Sequence, residues 1–186
     1  MAWREAHKVE SKTKILDAGA KLFCQQGFDA VSIDQVMAEA SMTRGAFYAH
    51  FDSKVDLYDQ SITHGAQRGR DRILNEVTCG LKGLVDAYLR TRDLDDEDDY
   101  CPLSFLATDV CHRDESVQGT YTRLLQGYQR FLQEFGVEEA RAVPVSVLLV
   151  GGLALAKSVN DPDLRKQIQG QCSDLVMELA ATTPPS

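Results

Sequence analysis

Apolar residues recur at the spacing of an α-helix along most of this chain, and this feature restricts the fold more than any other. Near the N-terminus they are Ile15, Ala18, Gly19, Leu22 and Phe23, at positions i, i+3, i+4, i+7 and i+8 of one helix face. The sequence shows no strand-like alternation bounded by turn residues and no internal repeat. The pattern therefore predicts an all-α fold.

Local signals predict where the helices begin and end. Gly27 is expected to end the first helix, because glycine is favoured just beyond a helix terminus. Ser32, followed three residues later by Gln35, predicts a capping box for a short second helix. Asp161 and Pro162 predict the N-cap and the first residue of the last helix. The remaining helices are predicted over residues 43–49, 54–77, 80–92, 102–112, 116–135, 138–157 and 162–181, with a disordered tail over residues 182–186.

Charge is distributed unevenly along the chain. The formal net charge of −8 is unfavourable for a protein that meets DNA phosphates. Residues 1–54, however, carry seven basic and seven acidic side chains, so the entire negative excess lies after Lys54. Any phosphate contact of this chain is therefore expected in the neutral N-terminal part, and the repulsion of phosphate by the acidic remainder would orient that part toward a nucleic acid. The asymmetry predicts two functional domains, residues 1–54 and residues 55–186.

Composition and local sequence argue against several other classes of protein. The first residues lack the apolar core of a secretory signal, and the apolar stretch at residues 143–156 is shorter than a bilayer span. We therefore expect a cytoplasmic protein with no membrane partner. The five cysteines are odd in number and lack CxxC spacing, which argues against a disulfide framework and a structural zinc. Cys101, Cys111 and His112 have no diagnostic metal-ligand spacing, so we expect no metal and no cofactor.

Residues 43–54 have the surface expected of a helix that enters the major groove. Helical geometry places Phe47 and Phe51 on one side, where the first two helices can bury them. The opposite side is built from small residues, which allow close approach to the groove floor, and is flanked by side chains that bond bases or phosphates. The small residues are Gly45, Ala46 and Ala49, and the flanking residues are Thr43, Arg44, Tyr48 and His50. An ordinary amphipathic helix of a three-helix bundle has the same spacing.

Residue order distinguishes these two interpretations. The chain runs from Gly27-Phe28 through Ser32-Ile33-Asp34-Gln35-Val36 to Met42-Thr43-Arg44-Gly45-Ala46-Phe47-Tyr48-Ala49-His50-Phe51-Asp52-Ser53-Lys54. This order resembles the signature of tetracycline-repressor-type (TetR) regulators over about residues 11–60, including a Gly-x-Phe-Tyr-x-His-Phe core. One departure is Val36-Met37-Ala38, where members of the family commonly have Ile-Ala, and we interpret it as a variation in packing.

The resemblance implies an N-terminal three-helix helix-turn-helix domain that binds DNA, and a C-terminal helical domain that binds a ligand and dimerises. Carried over by position, it implies base-facing or groove-floor roles for Thr43, Arg44, Gly45 and Ala46, and phosphate contacts for Ser32, Tyr48, His50 and Lys54. It also implies a homodimer in which the last two helices of each subunit form a four-helix interface. The implied partners are double-stranded operator DNA and a small-molecule inducer of unknown identity.

The C-terminal sequence independently favours a subunit interface. Residues 147–156 are apolar nearly all round and include several small residues, so one face requires an internal core and another requires a close helical partner. The candidate interface residues are Leu148, Gly152 and Leu155. A central helix of a monomeric bundle is the alternative.

Candidate ligand-binding residues rest on weaker patterns. Tyr121 and Tyr128 belong to an apolar stripe on the helix over residues 116–135, and core packing explains such a stripe as well as a cavity does. Phe105 and Asp109 lie on the preceding helix. A buried Asp109 would pair with a cationic ligand, whereas an exposed one would be an ordinary surface carboxylate.

Cys101 is a candidate sensor of electrophiles or oxidants. Pro102 suits the first position of a helix, which makes Cys101 the expected N-cap, where unpaired N–H groups favour a thiolate. The acidic run at residues 95–99 would oppose ionisation if it lay close. Packing or surface exposure is the alternative explanation of this cysteine.

These features predict a ligand-responsive, sequence-specific DNA-binding transcriptional regulator, expected to be a repressor that a small molecule or an electrophile releases from its operator. The alternative is a helical enzyme or interaction protein with an incidental helix-turn-helix. The sequence lacks a nucleophile–base pattern or a phosphate-binding loop that would support catalysis, so we expect no enzyme activity.

Overall fold

The computed structural model describes residues 2–89 and 100–181, with side chains from Ala6 onward. All regular secondary structure within these ranges is helical, which confirms the all-α prediction. Three predicted features lie outside the described residues: the acidic run at residues 95–99, the end of the helix predicted over residues 80–92, and the tail at residues 182–186.

The described residues form ten helices. In chain order they are α1 (Ala2–Ala30), α2 (Ile33–Glu39), α3 (Arg44–Phe47), α4 (Lys54–Glu76), α5 (Gly80–Leu89), α6 (Pro102–Phe105), α7 (Ala107–Val110), α8 (Glu115–Glu134), α9 (Glu139–Ser158) and α10 (Pro162–Ala181).

Local capping signals predicted several helix ends correctly. Helical geometry is interrupted within α1 at Gly27, whose φ of 77° is the left-handed conformation that glycine adopts without steric cost. At the start of α10, the Asp161 carboxylate accepts hydrogen bonds from the N–H groups of Asp163 and Leu164, at 2.9 and 3.2 Å. Because these contacts are local, residue identity alone was sufficient to anticipate them.

The single helix predicted over residues 102–112 is wrong. The structure has two four-residue helices there, α6 and α7, separated at Leu106, where φ is −107° and ψ is 1°. The Leu106 side chain is buried at this break. Neither glycine nor proline marks the position, so the sequence carries no local signal for it.

The described residues divide into two compact units. The first contains residues 2–68 and 100–121, and the second contains residues 69–89 and 122–181. The predicted boundary after residue 54 is a division by function, and it stays a prediction. Large side chains fill the core of the first unit, and burying each contributes about 1.5 to 3 kcal/mol of transfer free energy. They include Ile15, Phe23, Met37, Phe47, Leu57, Tyr58 and Ile62.

The second unit is built around α9, which packs against α10 and α5. Leu149, Leu153 and Ala156 are buried in this core. Of the helices in the described ranges, α9 alone has the length and composition of a membrane span, with a mean hydropathy of 1.6. A core helix has the same composition, and the packing of α9 against two neighbours favours that explanation.

Candidate nucleic-acid interface

The capping box predicted at the start of α2 is present. The Ser32 hydroxyl accepts a hydrogen bond from the Gln35 N–H at 3.2 Å, and the Ser32 N–H donates to Gln35 Oε1 at 2.7 Å. The Ser32 hydroxyl also donates to Gln35 Oε1, at 2.8 Å. Ser32 is exposed, so its hydroxyl lies on the surface at the N-terminus of α2, where backbone N–H groups favour an anion.

A tight turn joins α2 to α3. Ser41 adopts a left-handed φ of 56°, and its N–H donates to the Ala38 carbonyl at 3.0 Å. The N–H of Met42 donates to the Met37 carbonyl at 2.8 Å, which completes a Schellman motif at the end of α2. These bonds fix the direction in which the chain enters α3.

One side of the α3 segment is anchored in the core. Phe47 and Phe51 are both buried, and their ring centroids lie 5.6 Å apart. Regular α-helix ends at Phe47, earlier than the predicted end at residue 49, and turns continue through His50. The two phenylalanines therefore hold the segment while its other side stays on the surface.

The other side of α3 is accessible. Thr43, Arg44 and Gly45 are exposed, and Ala46 is half-buried. A Cβ built on Gly45 would meet only the Thr43 hydroxyl, at 3.9 Å, so open space lies above the Gly45 backbone. Tyr48 is 63% exposed and packs edge-on against Phe47, with centroids 5.1 Å apart. This surface has the small centre and polar edges that a groove-binding helix requires.

Arg44 pairs with a carboxylate that sequence reasoning did not single out. Its Nη1 lies 2.8 and 3.1 Å from the two carboxylate oxygens of Asp34, on α2. A hydrogen bond with the Tyr48 phenol and the charge of Asp34 raise the pKa of Arg44 above its ordinary value. The guanidinium is therefore charged and held at the surface between α2 and α3.

His50 is partly sequestered. Its Nδ1 is buried and has no hydrogen-bond partner among the described residues. Burial lowers the pKa of His50, and the charges of Lys8 and Lys12 lower it further. The lowered pKa favours a neutral imidazole at pH 7.

Lys54 begins α4, and its ammonium lies 4.2 Å from the centroid of the Phe28 ring. Partial burial lowers the pKa of Lys54, while the nearby Asp29 carboxylate raises it. A cation–π contact of this kind is worth about 0.5 to 2 kcal/mol. It holds the ammonium group at a defined position beside the helix-turn-helix.

Asp109, predicted as a ligand-binding candidate, makes its contacts inside the first unit. One carboxylate oxygen accepts a hydrogen bond from the Tyr58 hydroxyl, and the other accepts from the Phe28 N–H at 3.2 Å. The Asp109 side chain is only 18% exposed. Burial and this hydrogen bond raise the pKa of Tyr58 well above its ordinary value. Of the two alternatives for Asp109, the structure favours the buried one, and its role in ligand binding stays a prediction.

Arg113 joins the same cluster from the residues after α7. Its guanidinium donates to both carboxylate oxygens of Asp29, at 3.2 and 2.9 Å, and its Nε donates to the Asp109 carbonyl at 3.3 Å. The guanidinium carbon lies 4.7 Å from the Phe28 ring centroid. Phe28 thus contacts two cations, Arg113 and Lys54. We name these residues, with Asp29, Tyr58 and Asp109, the Phe28 cluster.

The other ligand candidates are dispersed. Cys101 is the half-buried N-cap of α6, as predicted, but α6 has only four residues and provides little helix dipole to stabilise a thiolate. The Tyr121 hydroxyl donates to the Leu103 carbonyl at 2.5 Å, and burial raises its pKa to about 12. Phe105 is half-buried in the same unit. Tyr128 lies in the second unit and stacks on Tyr88 with centroids 5.3 Å apart.

A surface cavity of about 250 Å³ lies between α5 and α10 in the second unit. None of the five ligand candidates lines it. Its lining residues are Lys82, Asp86, Leu89, Gln169, Gly170, Ser173 and Asp174. Within residues 2–89 and 100–181, no group of three His, Cys, Asp or Glu side chains is arranged to hold a metal ion.

The three interface candidates on α9 differ in how far they are exposed to solvent. Leu155 is 60% exposed, Leu148 is half-buried and Gly152 is buried. A Cβ built on Gly152 would lie 2.6 Å from Cys172 Sγ, so this glycine allows close approach of α10 in the same chain. Gly152 therefore faces α10 of its own chain, and its place in a subunit interface stays a prediction. Exposed Val143 and Val147 share the outer side of α9 with Leu155.

A three-helix arrangement with a capped α2, a tight turn and a surface-exposed α3 defines a helix-turn-helix protein. Residues 15–60 match the family described as bacterial regulatory proteins, tetR family. Over these residues the match confirms the similarity to the TetR family that the sequence resemblance implied.

Curated relatives match over the same region. The negative transcriptional regulator IcaR of the biofilm operon icaADBC, from Staphylococcus aureus, is 35% identical over 51 residues, which are 27% of this chain and 27% of IcaR. The transcriptional regulator AcrR of Shigella flexneri is 41% identical over 51 residues, 27% of this chain and 24% of AcrR. The matches thus span about a quarter of the length of these relatives.

Solved structures extend the likeness of fold to nearly the whole chain. A TetR-family regulator from Cytophaga hutchinsonii superimposes with a TM-score of 0.75 and 12% identity, covering 95% of this chain and 98% of the other. The reduced form of E. coli NemR gives a TM-score of 0.72 and 16% identity, covering 92% of this chain and 98% of NemR. At this identity the likeness establishes the fold alone.

Proposed function

We propose that this chain is a ligand-responsive transcriptional repressor that binds double-stranded operator DNA as a homodimer in the cytoplasm. The observation that carries the proposal is the exposed α3 surface, on which Arg44 and Tyr48 flank the open backbone at Gly45. IcaR, which is similar over the DNA-binding region, is a negative transcriptional regulator, and this supports repression as the mode of action. We propose no enzyme activity for this chain.

Each DNA-facing residue has a proposed role. Arg44 and Thr43 contact base edges, and the small Gly45 and Ala46 let the helix backbone approach the groove floor. Side chains at the margins of this surface contact backbone phosphates. These side chains are Ser32, Tyr48, His50 and Lys54.

A homodimer is proposed because one short recognition helix reads only a few base pairs. Two copies held at a fixed distance read half-sites about one helical turn apart, or a multiple of that spacing. The exposed apolar side of α9, with Val143, Val147 and Leu155, supplies a surface that a second copy can cover. Leu148 lies beside it.

Ligand response is proposed to act through residues 100–113. Asp109 and Arg113 connect this segment to Phe28, and Phe28 in turn contacts Lys54. A ligand that displaces the segment would change the environment of a phosphate-binding lysine. Tyr121, Phe105 and Cys101 lie on or near this segment, and Tyr128 is a candidate on the second unit. The inducer is a small molecule, and an electrophile acting on Cys101 is one form of it.

The test is binding to DNA from upstream of the gene that encodes this chain, measured against unrelated DNA of equal length. Arg44→Ala should weaken operator binding by about 1 to 3 kcal/mol and reduce sequence preference, because it removes a side chain that reads a base edge. Lys54→Ala should weaken binding to every DNA about equally and make the salt dependence shallower by about one unit for each phosphate that is no longer bound.

Unchanged binding by both variants would reject the assigned surface. Equal affinity of the parent for upstream and unrelated DNA would reject sequence-specific repression at that site. A parent that binds its operator tightly while remaining monomeric in analytical ultracentrifugation would reject the dimer.

A further inference from the structure

Two lysines near the start of α1 lie beside the recognition segment. Lys12 Nζ is 5.6 Å from the centroid of the Phe51 ring. Lys8 and Lys12 are both close enough to His50 for their charges to lower its pKa. They are four residues apart, so they occupy the same face of α1. That face therefore brings two positive charges to the edge of the α3 segment where His50 lies.

The local charge on this face is unbalanced. Glu10 and Lys14 form a 2.9 Å ion pair with each other. At about 100° per residue, Glu10 lies on the opposite side of α1 from Lys8 and Lys12. Among the side chains that the structure describes, no carboxylate lies within ion-pair distance of Lys8 or Lys12. An unneutralised pair of ammonium groups on one helix face attracts an external anion.

Three other acidic side chains near the DNA-binding surface already pair with cations. Asp34 pairs with Arg44 at 2.8 Å, and Glu39 pairs with Lys21 at 3.0 Å. Asp29 pairs with Arg113 at 2.9 Å. Among the side chains that the structure describes, Lys8 and Lys12 thus leave positive charge on their side of α1, although residues 1–54 have no net charge.

We propose that Lys8 and Lys12 extend the nucleic-acid interface, binding backbone phosphates of the DNA strand that His50 also meets. The inference rests on the proposed function and deepens it. Both lysines precede the matched region of the family, which begins at residue 15. They add affinity and salt dependence, and they carry no base preference because phosphates are common to every sequence.

The experiment compares the parent with Lys8→Gln/Lys12→Gln by operator binding between about 50 and 200 mM salt. Each phosphate that is no longer bound should make the slope of log K against log salt shallower by about 0.9, which gives about 3.6 for two lysines in each subunit of a dimer. The ratio of operator to unrelated-DNA affinity should stay within about threefold of the parent ratio. Lys8→Arg/Lys12→Arg should retain the parent slope.

A charge-matched control is Lys14→Gln/Lys166→Gln, since Lys14 pairs with Glu10 on the opposite side of α1 and Lys166 is exposed on α10. Thermal unfolding of each variant identifies any loss of folded protein. An unchanged slope for folded Lys8→Gln/Lys12→Gln, or an equal change in the control, would overturn the inference. If the parent prefers its operator and Arg44→Ala abolishes that preference, the proposed function stands in either case.

Discussion

Arg44 and Asp34 form a 2.8 Å ion pair between α3 and α2, and both side chains are about 60% exposed. In the proposed complex, Arg44 must turn its guanidinium toward a base edge. The pair therefore competes with DNA for the donor groups of Arg44. An exposed ion pair of this kind adds little stability because water screens it, so operator contacts can replace it.

Asp34→Asn should increase affinity for operator and for unrelated DNA, by up to about fivefold, because it frees Arg44 and removes a negative charge near phosphate. Competitive retardation assays on the two DNAs measure the effect. Glu39→Gln is the matched control, since it removes the same charge from α2 and leaves Arg44 unchanged. A weaker operator complex of Asp34→Asn would instead indicate that Asp34 itself accepts a hydrogen bond from a base.

Gly152→Ala should destabilise the protein by about 1 to 3 kcal/mol, because the added Cβ would overlap Cys172 Sγ at 2.6 Å. Gly151→Ala is the matched control, since a Cβ there meets nothing within 4 Å. Equilibrium unfolding in urea measures the difference. Adding Cys172→Ala should restore part of the stability of Gly152→Ala. A Gly152→Ala variant as stable as Gly151→Ala would contradict the close contact between α9 and α10.

Protonation of His50 should lower the stability of the folded protein and raise its affinity for DNA as the pH falls. Burial, with Lys8 and Lys12, lowers the pKa of His50 in the folded protein. The unfolded chain therefore binds the proton first, and stability falls as the pH drops below the ordinary value of about 6.5 and on toward the folded pKa. Operator phosphate would raise the pKa of His50, so DNA affinity should increase over the same range.

Unfolding midpoints and operator dissociation constants between about pH 8 and 5.5 test this prediction, with His50→Gln as the reference that removes the titrating group. The difference between parent and variant isolates His50 from the carboxylates, which titrate in both proteins. A parent and His50→Gln with parallel pH profiles for DNA binding would argue against a phosphate contact at this residue.

Cysteine alkylation should begin at Cys79 and Cys111, which are exposed. Burial raises the pKa of the Cys24 thiol well above its ordinary value, so Cys24 should react last. Burial also raises the pKa of Cys172. Mass spectrometry after timed iodoacetamide labelling at neutral pH gives the order. The short α6 argues against a reactive thiolate at Cys101. Labelling of Cys101 before Cys79 and Cys111 would instead support Cys101 as a sensor.

Sequence reasoning succeeded where the cause of a feature lies within a few residues. Ser32 with Gln35 and Asp161 with Pro162 cap helices that follow them directly, and Gly27 interrupts α1 by its own conformation. The exposed side of α3 was also predictable, because the two buried phenylalanines fix the rotation of the segment.

Contacts between distant residues were not predictable in this way. The sequence shows that Gly152 is a small residue in an apolar helix. It does not show that the neighbour this glycine accommodates is Cys172 of the same chain. Asp109 and Tyr58 are 51 positions apart, and no local pattern relates them. Lys8 and Lys12 lie before the recognisable motif, and only the fold brings them beside His50.

Asp109→Ala should destabilise the first unit by about 2 to 5 kcal/mol, because it leaves the Tyr58 hydroxyl and the Phe28 N–H without their acceptor. Tyr58→Phe should cost less, about 1 to 2 kcal/mol, since the carboxylate keeps its bond from Phe28. The double variant should cost less than the sum of the two, because both single changes break the same hydrogen bond.

Thr108→Ala, at an exposed neighbouring position, is the control and should stay within about 0.5 kcal/mol of the parent. Urea unfolding of the four variants measures these values. Additive costs for Asp109→Ala and Tyr58→Phe would show that the Phe28 cluster does not act as a unit, and would remove the structural basis for coupling residues 100–113 to Lys54.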